Sequence, residues 1–309
     1  MSVRNMAISE NFGDLLDVRM RKIYDGELKD RLDGSMIPML FNVTNPGKRS
    51  DYIVSGIGGL GDMQDFDGSI SYDAPSQLYD TTFTFPEKAL GMKIEKKLAD
   101  DEQFGIMNQR PRGLAISKAR TREKKGAAVF SEAFVTTNPT GQSGGDGVSL
   151  CNASHPYSPD DSTTWSNAGS TAFSATSVEA TRRIGYTSIY TDRGELADVN
   201  YDQLLVPVSL EETAWEIINS KGKVDTANNN RNFHEGRYKM AVWARLTDSN
   251  NWFFMDSGLC KQYFYWFDRI NGDFEYDRDF DTKVAKWSVY DRNSCGYADA
   301  RPIYGHNVT

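Results

Sequence analysis

Between Gly144 and Tyr157 the chain reads GGDGVSLCNASHPY, a stretch that holds a thiol, an imidazole and a carboxylate. Cys151 could serve as a nucleophile and His155 as the base that takes its proton, with Asp146 five residues before the thiol. The chemistry needs Cys151 and His155 on one face, and a helix would place residues four apart there. Pro156 directly follows His155, and the residue before a proline is pushed out of the helical region. No glycine-flanked elbow and no recognisable oxyanion segment surrounds Cys151. The residues therefore favour a shaped loop with a half-buried thiol and a histidine bonded to backbone. A cysteine-dependent hydrolase using Cys151 and His155 is the alternative from a different class.

Two further patterns imitate binding sites. Gly56, Gly58 and Gly61 match G-x-G-x-x-G after the β-prone run DYIVS. A phosphate site of that kind needs a helix to start at the last glycine. The residues that follow, DMQDFDGSISYD, carry four aspartates and turn signals, and those anions would repel a phosphate. Cys151, His155, Cys260 and Cys295 would make a zinc site only if distant segments converged, because no close C-x₂₋₄-C pair exists. The sequence thus gives no catalytic residue, no cofactor site and no metal site.

Charge is segregated along the chain. Arg110, Arg112, Lys118, Arg120, Arg122, Lys124 and Lys125 make one segment basic inside a protein of net charge -8. Asp273, Glu275, Asp277, Asp279 and Asp281 alternate with Phe274, Tyr276, Arg278 and Phe280, so a strand would put the carboxylates on one face. Crowded like charges are destabilising unless solvated or opposed. A solvated outer face satisfies that condition. So does an intersubunit seam in which these acids meet Arg110, Arg112, Arg120, Arg122, Lys124 and Lys125 of a neighbour, or hold a divalent ion.

The elements that position these groups are read from periodicity and punctuation. Residues 1 to about 50 read as an extended arm with a short, weakly apolar helix in which Leu15, Val18, Met20 and Ile23 recur at helical spacing. Little in it promises a core of its own. Short strands broken by turns fill 51 to 94 and form a hairpin that needs another surface to lie on. The stretch 95–134 is the most helical, with Pro111 expected to kink or split it. Beyond Pro111, residues Leu114, Ala115, Lys118, Ala119, Arg122 and Gly126 share one side. A polar irregular region covers 135–173. Capping boxes at Thr176/Glu179 and Ser209/Glu212 announce two helices around the buried strand LLVPV (204–208). RYKMAVWARL (237–246) and NWFFMD (251–256) follow as strands. KQYFYWFDRI and DFEYDRDF flank Asn271-Gly272, a hairpin signal, and TKVAKWSVYDR is a further strand.

Length and composition bound the class. The chain has 309 residues, 39% hydrophobic, 12% aromatic and 25% charged, which suits a folded protein with a substantial core. Its acidity argues against gripping nucleic acid by phosphate neutralisation. Three scattered cysteines make no disulfide framework. MSVRNMAISENFGD lacks the apolar stretch of a signal sequence, and no run is long enough for a membrane helix; a reducing, cytoplasmic site of synthesis is the expectation.

The order of segments resembles the major capsid (head) proteins of tailed bacteriophages with the Hong Kong 97-like fold, nearest to the Mu-like major head subunits. DGVSLCNASHPYS resembles the family's Asp-Gly-x-x-Leu-x-x-x-x-His-Pro segment after the long helix. FDGSISYD with ALGMKIEKKLADDE resembles its hairpin loop returning to that helix. LLVPVSLEETAWEII resembles the strand–Pro–helix unit of its axial domain, and YDRNSCGYADARPIYG its closing strand and tail. Cys151 departs from the pattern, where an aromatic or other apolar residue is commoner, and so does the acidic 273–281 segment. The likeness implies an α+β fold with an N-terminal arm (1–50), an E-loop hairpin (51–90), a peripheral domain with a long spine helix (91–195 and 253–309) and an axial domain (196–252). It further implies a virion protein without enzymatic activity. Hexamers and pentamers would build an icosahedral shell around double-stranded DNA, with separate scaffolding and portal proteins and decoration proteins as possible additions. An encapsulin-like compartment shell is the alternative within the fold.

Overall fold

The computed structural model describes residues 9–70, 72–74, 76–95, 97, 101, 104–136, 144–222, 230–279, 281–282 and 284–309. In chain order the helices are α1 (Ser9–Asp33), α2 (Ile37–Leu40), α3 (Phe104–Ser131), α4 (Ala175–Thr187), α5 (Glu211–Asn219) and α6 (Ser257–Tyr263). The first strands are β1 (Asn42–Thr44), β2 (Asp51–Ile57), β3 (Gln77–Thr84) and β4 (Glu87–Glu95). Then come β5 (His155–Ser158), β6 (Asp161–Trp165), β7 (Ala168–Gly169), β8 (Gln203–Val206), β9 (Lys239–Val242) and β10 (Trp252–Met255). Two long strands, β11 (Phe264–Arg278) and β12 (Val284–Tyr297), precede the closing β13 (Ile303–His306).

The chain divides into two compact units. The smaller takes the residues up to Ser35 together with Phe85–Glu123 and Asp268–Asn293. Here β4 runs antiparallel to β12 from Val284↔Glu95 to Arg292↔Glu87. Its core joins Met20 and Tyr24 of α1, Met107, Leu114 and Ala115 of α3, Met92 and Ile94 of β4, Phe274 of β11, and Trp287 and Val289 of β12. The Trp287 indole N–H donates to Asp17 at 3.0 Å, and Arg21 donates to the Phe274 carbonyl at 2.7 Å. The leading segment is thus a helix of 25 residues whose Met20, Tyr24 and Leu28 side is committed to its own chain. This corrects the expectation of a short helix; the core it joins is built with α3, β4, β11 and β12 and is not one of its own. Packing supplies the stability that the weakly apolar sequence does not advertise. Val18, expected on the apolar side, is exposed.

The larger unit holds Met36–Thr84, Lys124–Phe267 and Ser294–Thr309. Its five-stranded sheet has the order β7-β13-β10-β8-β9. β8 and β10 are buried at every position, as expected of strands covered on both faces. LLVPV was legible for that reason. Phe41, Phe130 and Phe264 form an aromatic centre with ring centroids 5.8 to 6.1 Å apart. β2 and β3 make an antiparallel hairpin from Asp51↔Thr84 to Ile57↔Gln77. Phe83 and Tyr52 seat its base on Phe267, at 5.0 and 4.8 Å between ring centroids. β1 lies parallel to the start of β11.

Four local expectations change. α3 is one helix straight through Pro111, since burial along its Leu114–Gly126 side outweighs the roughly 3 kcal/mol that an internal proline costs. Ser174, not Thr176, caps α4: its hydroxyl accepts from the Ser177 N–H, and Ser177 reciprocates. Ser209 lies in a 3-10 turn before α5 and bonds the Ser249 carbonyl instead of capping. Asn271-Gly272 is not a hairpin turn but lies inside the continuous β11, with Gly272 left-handed at φ +73°. The β11–β12 reversal comes after Arg278, where the Asp279 N–H donates to the Val284 carbonyl. Of the irregular 135–173 region, 137–143 lies outside the described residues, as do parts of 96–103. The β5–β6 hairpin follows it.

Candidate assembly interface

His155 opens β5 and is buried, so the helical face that a Cys–His pair would need does not form. Its Nδ1 lies 2.6 Å from Asp146 Oδ2 and its Nε2 3.0 Å from Asn167 Oδ1. The Asn167 amide cannot flip, because its NH₂ donates to the carbonyls of Leu150, Ala300 and Ile303 at 2.9 to 3.1 Å. Trp165 stacks on the imidazole at 4.7 Å. Both ring nitrogens are therefore occupied in holding the 144–155 loop against the chain's closing segment. Cys151 is buried, and burial pushes its thiol well above the ordinary value. A buried thiol held protonated is a poor nucleophile. Cys260 and Cys295 are buried as well, and Cys260 is pushed up for the same reason. Among the described residues no group of three or more His, Cys, Asp or Glu side chains is placed to hold a metal.

The glycine motif also resolves into structure. Gly56 lies in β2, and a Cβ on Gly58 would collide with the Ser76 hydroxyl. The Gly59 N–H, which a phosphate would want, donates to the Asp192 carboxylate at 3.1 Å. Arg193 donates to the Gly59 carbonyl at 3.0 Å and pairs with Asp73 at 2.9 Å. The Gly61 N–H, and secondarily Arg193, hold the Asp73 carboxyl below its usual range. These contacts fix the root of the β2–β3 loop. Beyond the root, Leu60, Met63, Phe66, Ile70 and Tyr72 are 69% to 100% exposed, and Ile57 is 75% exposed. Composition alone did not flag this. The signal was the spacing of single apolar residues among the aspartates of a segment too polar to form a core.

The charged candidates separate into two groups. Arg110, Arg112, Arg120 and Lys124 are exposed on α3, and Lys125 is half-buried. Arg122 instead grips Asp268 with two hydrogen bonds, 2.5 and 2.9 Å, both side chains nearly buried. It is thereby committed within its own subunit. Asp273, Glu275 and Asp277 are exposed on β11 between the buried Phe274 and half-buried Tyr276, the alternation expected of a strand here. Asp279 and Asp281 belong to the reversal. The N–H of Thr282 and the Lys286 ammonium hold Asp279 at about 2.

A long helix, an extended apolar-tipped hairpin and a five-stranded sheet are the elements of a Hong Kong 97-like fold. Solved structures with this fold include the capsid of the cyanophage P-SCSP1u, 8% identical over 89% of this chain and 88% of that one, with a TM-score of 0.57. The capsid of an empty GTA particle is 14% identical over 89% and 90%, TM-score 0.55. The mature capsid of bacteriophage PhiM1 is 9% identical over 89% and 87%, TM-score 0.54. No curated protein sequence matches. The chain belongs to the phage capsid protein family, whose model matches residues 79–304. It is a major capsid protein of the tailed-phage kind, a structural shell subunit, and the encapsulin reading is not favoured.

Proposed function

We propose that this protein assembles as hexamers and pentamers into an icosahedral head that encloses double-stranded DNA, made in a host cytoplasm with separate scaffolding and portal proteins. The observation that carries the reading is the β2–β3 loop. A rigidly rooted ribbon that offers Leu60, Met63, Phe66, Ile70 and Tyr72 to solvent gains by covering them with a second copy. Obligate interfaces of this sort bury on the order of 2,000–5,000 Å². In this scheme 51–90 is the E-loop, 1–50 the arm, 91–195 with 253–309 the peripheral domain and 196–252 the axial domain. The net charge of -8 suits a wall that contains its genome without trapping it.

A seam between Arg110, Arg112, Arg120 and Lys124 of one copy and Asp273, Glu275 and Asp277 of the next adds charge complementarity. The test is electron microscopy and sedimentation of the purified protein beside a Met63→Asp, Phe66→Asp variant. The parent should form closed shells, and the variant should stay as folded, unassembled subunits. Normal shells from the variant would overturn the role of the loop.

A further inference from the structure

We propose that Trp215 and the glutamates around it form a knob that seats on the arginine-clad patch around Phe233 of a second copy of this chain. The inference rests on the reading of the chain as a shell subunit, and names a contact between copies separate from the β2–β3 loop. All the residues involved lie in the larger unit.

The knob is the outer side of α5. Ala214, Ile217 and Ile218 are buried, which leaves Glu211, Glu212 and Trp215 exposed and Glu216 half-buried. Acids in the first turn of a helix complement its dipole, and that accounts for Glu211 and Glu212. It does not account for an indole 56% exposed beside them. The other five tryptophans, Trp165, Trp243, Trp252, Trp266 and Trp287, are all buried. Among the described residues none of the three glutamates has a basic partner, and Trp215 makes no ring or cation contact.

The patch is built by α4 and the turn before β9. The Arg237 guanidinium lies 3.8 Å from the Phe233 ring centre and that of Arg182 5.4 Å, while the ring stays 44% exposed. Arg182 and Arg183 share one carboxylate, Glu179, through bonds of 2.9 Å. Arg237 has no carboxylate partner among the described residues, so the patch is locally positive in a protein of net charge -8. Asn232 ties the turn to the end of α5 by donating to the carbonyls of Ile217 and Ser220 at 2.7 and 2.9 Å. The Gly236 N–H adds a bond to the Ile218 carbonyl at 2.9 Å. The patch is therefore held in place before any partner arrives.

The two surfaces match in chemistry. Indole is the best of the aromatic faces for a guanidinium, and Trp and Arg dominate the energetic centres of interfaces. Unpaired carboxylates surround the indole, and guanidinium groups in excess of acid surround the phenyl ring. One sequence carries both halves of the match, so a second copy satisfies both at once, whereas a foreign partner would answer only one. Knob and patch are different surfaces, so the contact is head-to-tail: each copy gives one and receives one, the arrangement that closes rings.

The experiment is acrylamide quenching of tryptophan emission, in unassembled subunits and in purified shells. With the other indoles buried, the subunit should show one accessible class of emission, absent from Trp215→Phe. In shells that class should become protected. Charge reversal is the second arm. Glu211→Lys with Glu212→Lys, and Arg183→Glu with Arg237→Glu, each folded by circular dichroism, should each cut shell yield roughly tenfold or more. Mixed in equal amounts, the two variants match again in both directions, and assembly should return. Shells in which acrylamide still reaches Trp215 overturn the proposal and leave the shell reading intact. So do reversed variants that assemble at the parental yield, and a mixture that assembles no better than its components. A parent that builds no shell overturns the shell reading itself, and this contact with it.

Discussion

The imidazole Nδ1 of His155 sits 2.6 Å from the Asp146 carboxylate, and this pair closes the loop that looked most like an active site. The ring's other nitrogen is tied to an asparagine that cannot turn. Removing the ring leaves the Asp146 carboxylate, mostly buried, without its partner. His155→Ala should therefore destabilise the unassembled subunit by about 2–4 kcal/mol, read from urea unfolding. Loss of less than about 0.5 kcal/mol would mean the loop is held by something else.

Arg122 and Arg120 are neighbours in sequence with opposite duties. Arg122→Ala removes two hydrogen bonds from the nearly buried Asp268 carboxylate and should cost about 3–5 kcal/mol of subunit stability. Arg122→Lys recovers only part of that, because one ammonium cannot reproduce two parallel hydrogen bonds. Arg120→Ala, exposed, should change subunit stability by less than about 0.5 kcal/mol and act only on assembly. Equal destabilisation by the two alanine variants would contradict the division.

The same contrast explains what could be read from the sequence. The side of α3 from Leu114 to Gly126 was legible from its spacing, Lys118 and Arg122 included, because burial follows helical periodicity whatever the residue type. That Arg122 faces Asp268, 146 positions away, was not legible, since no local pattern encodes which distant carboxylate arrives. LLVPV declared itself as an unbroken apolar run, whereas Asn271-Gly272 misled. A turn-prone pair also suits a left-handed residue inside a strand, and only pairing along the whole of β11 decides between them. Likewise Ser174 took the cap of α4 from Thr176 because the chain enters the helix one turn signal earlier than the Thr–Glu spacing suggests.

The leading helix is the part of the structure that departs most from expectation. Met20 is fully buried beside Trp287 and Phe274 in the smaller unit. Met20→Ala should cost about 2–5 kcal/mol in the unassembled subunit, as truncation in a packed core does. If α1 served only to wrap a neighbour, the unassembled subunit would not register the change, and only shell yield would fall.

His306 gives the fold a pH dependence with a definite sign. Its Nδ1 accepts from the Thr171 N–H at 3.2 Å. Its Nε2 meets Thr181 Oγ1 at 2.8 Å, and that hydroxyl spends its own hydrogen on the Ser177 carbonyl. The ring is therefore neutral with hydrogen on Nε2, and a proton on Nδ1 would face the Thr171 donor. Burial, with Trp252 stacked at 4.1 Å, pushes the imidazole down to about 4 from 6.5. A depressed histidine binds its proton more readily in the unfolded chain, so stability is complete above pH 6.5 and falls as pH drops toward 4. The shift corresponds to about 3 kcal/mol lost across that window. His234 is lowered in the same direction, also by burial, and adds to the fall. Urea unfolding at pH 7, 6 and 5 should show the decline, and His306→Gln should flatten most of it while lowering stability at pH 7. A parent protein equally stable at pH 7 and pH 5, or a variant with an unchanged slope, would remove His306 as its source.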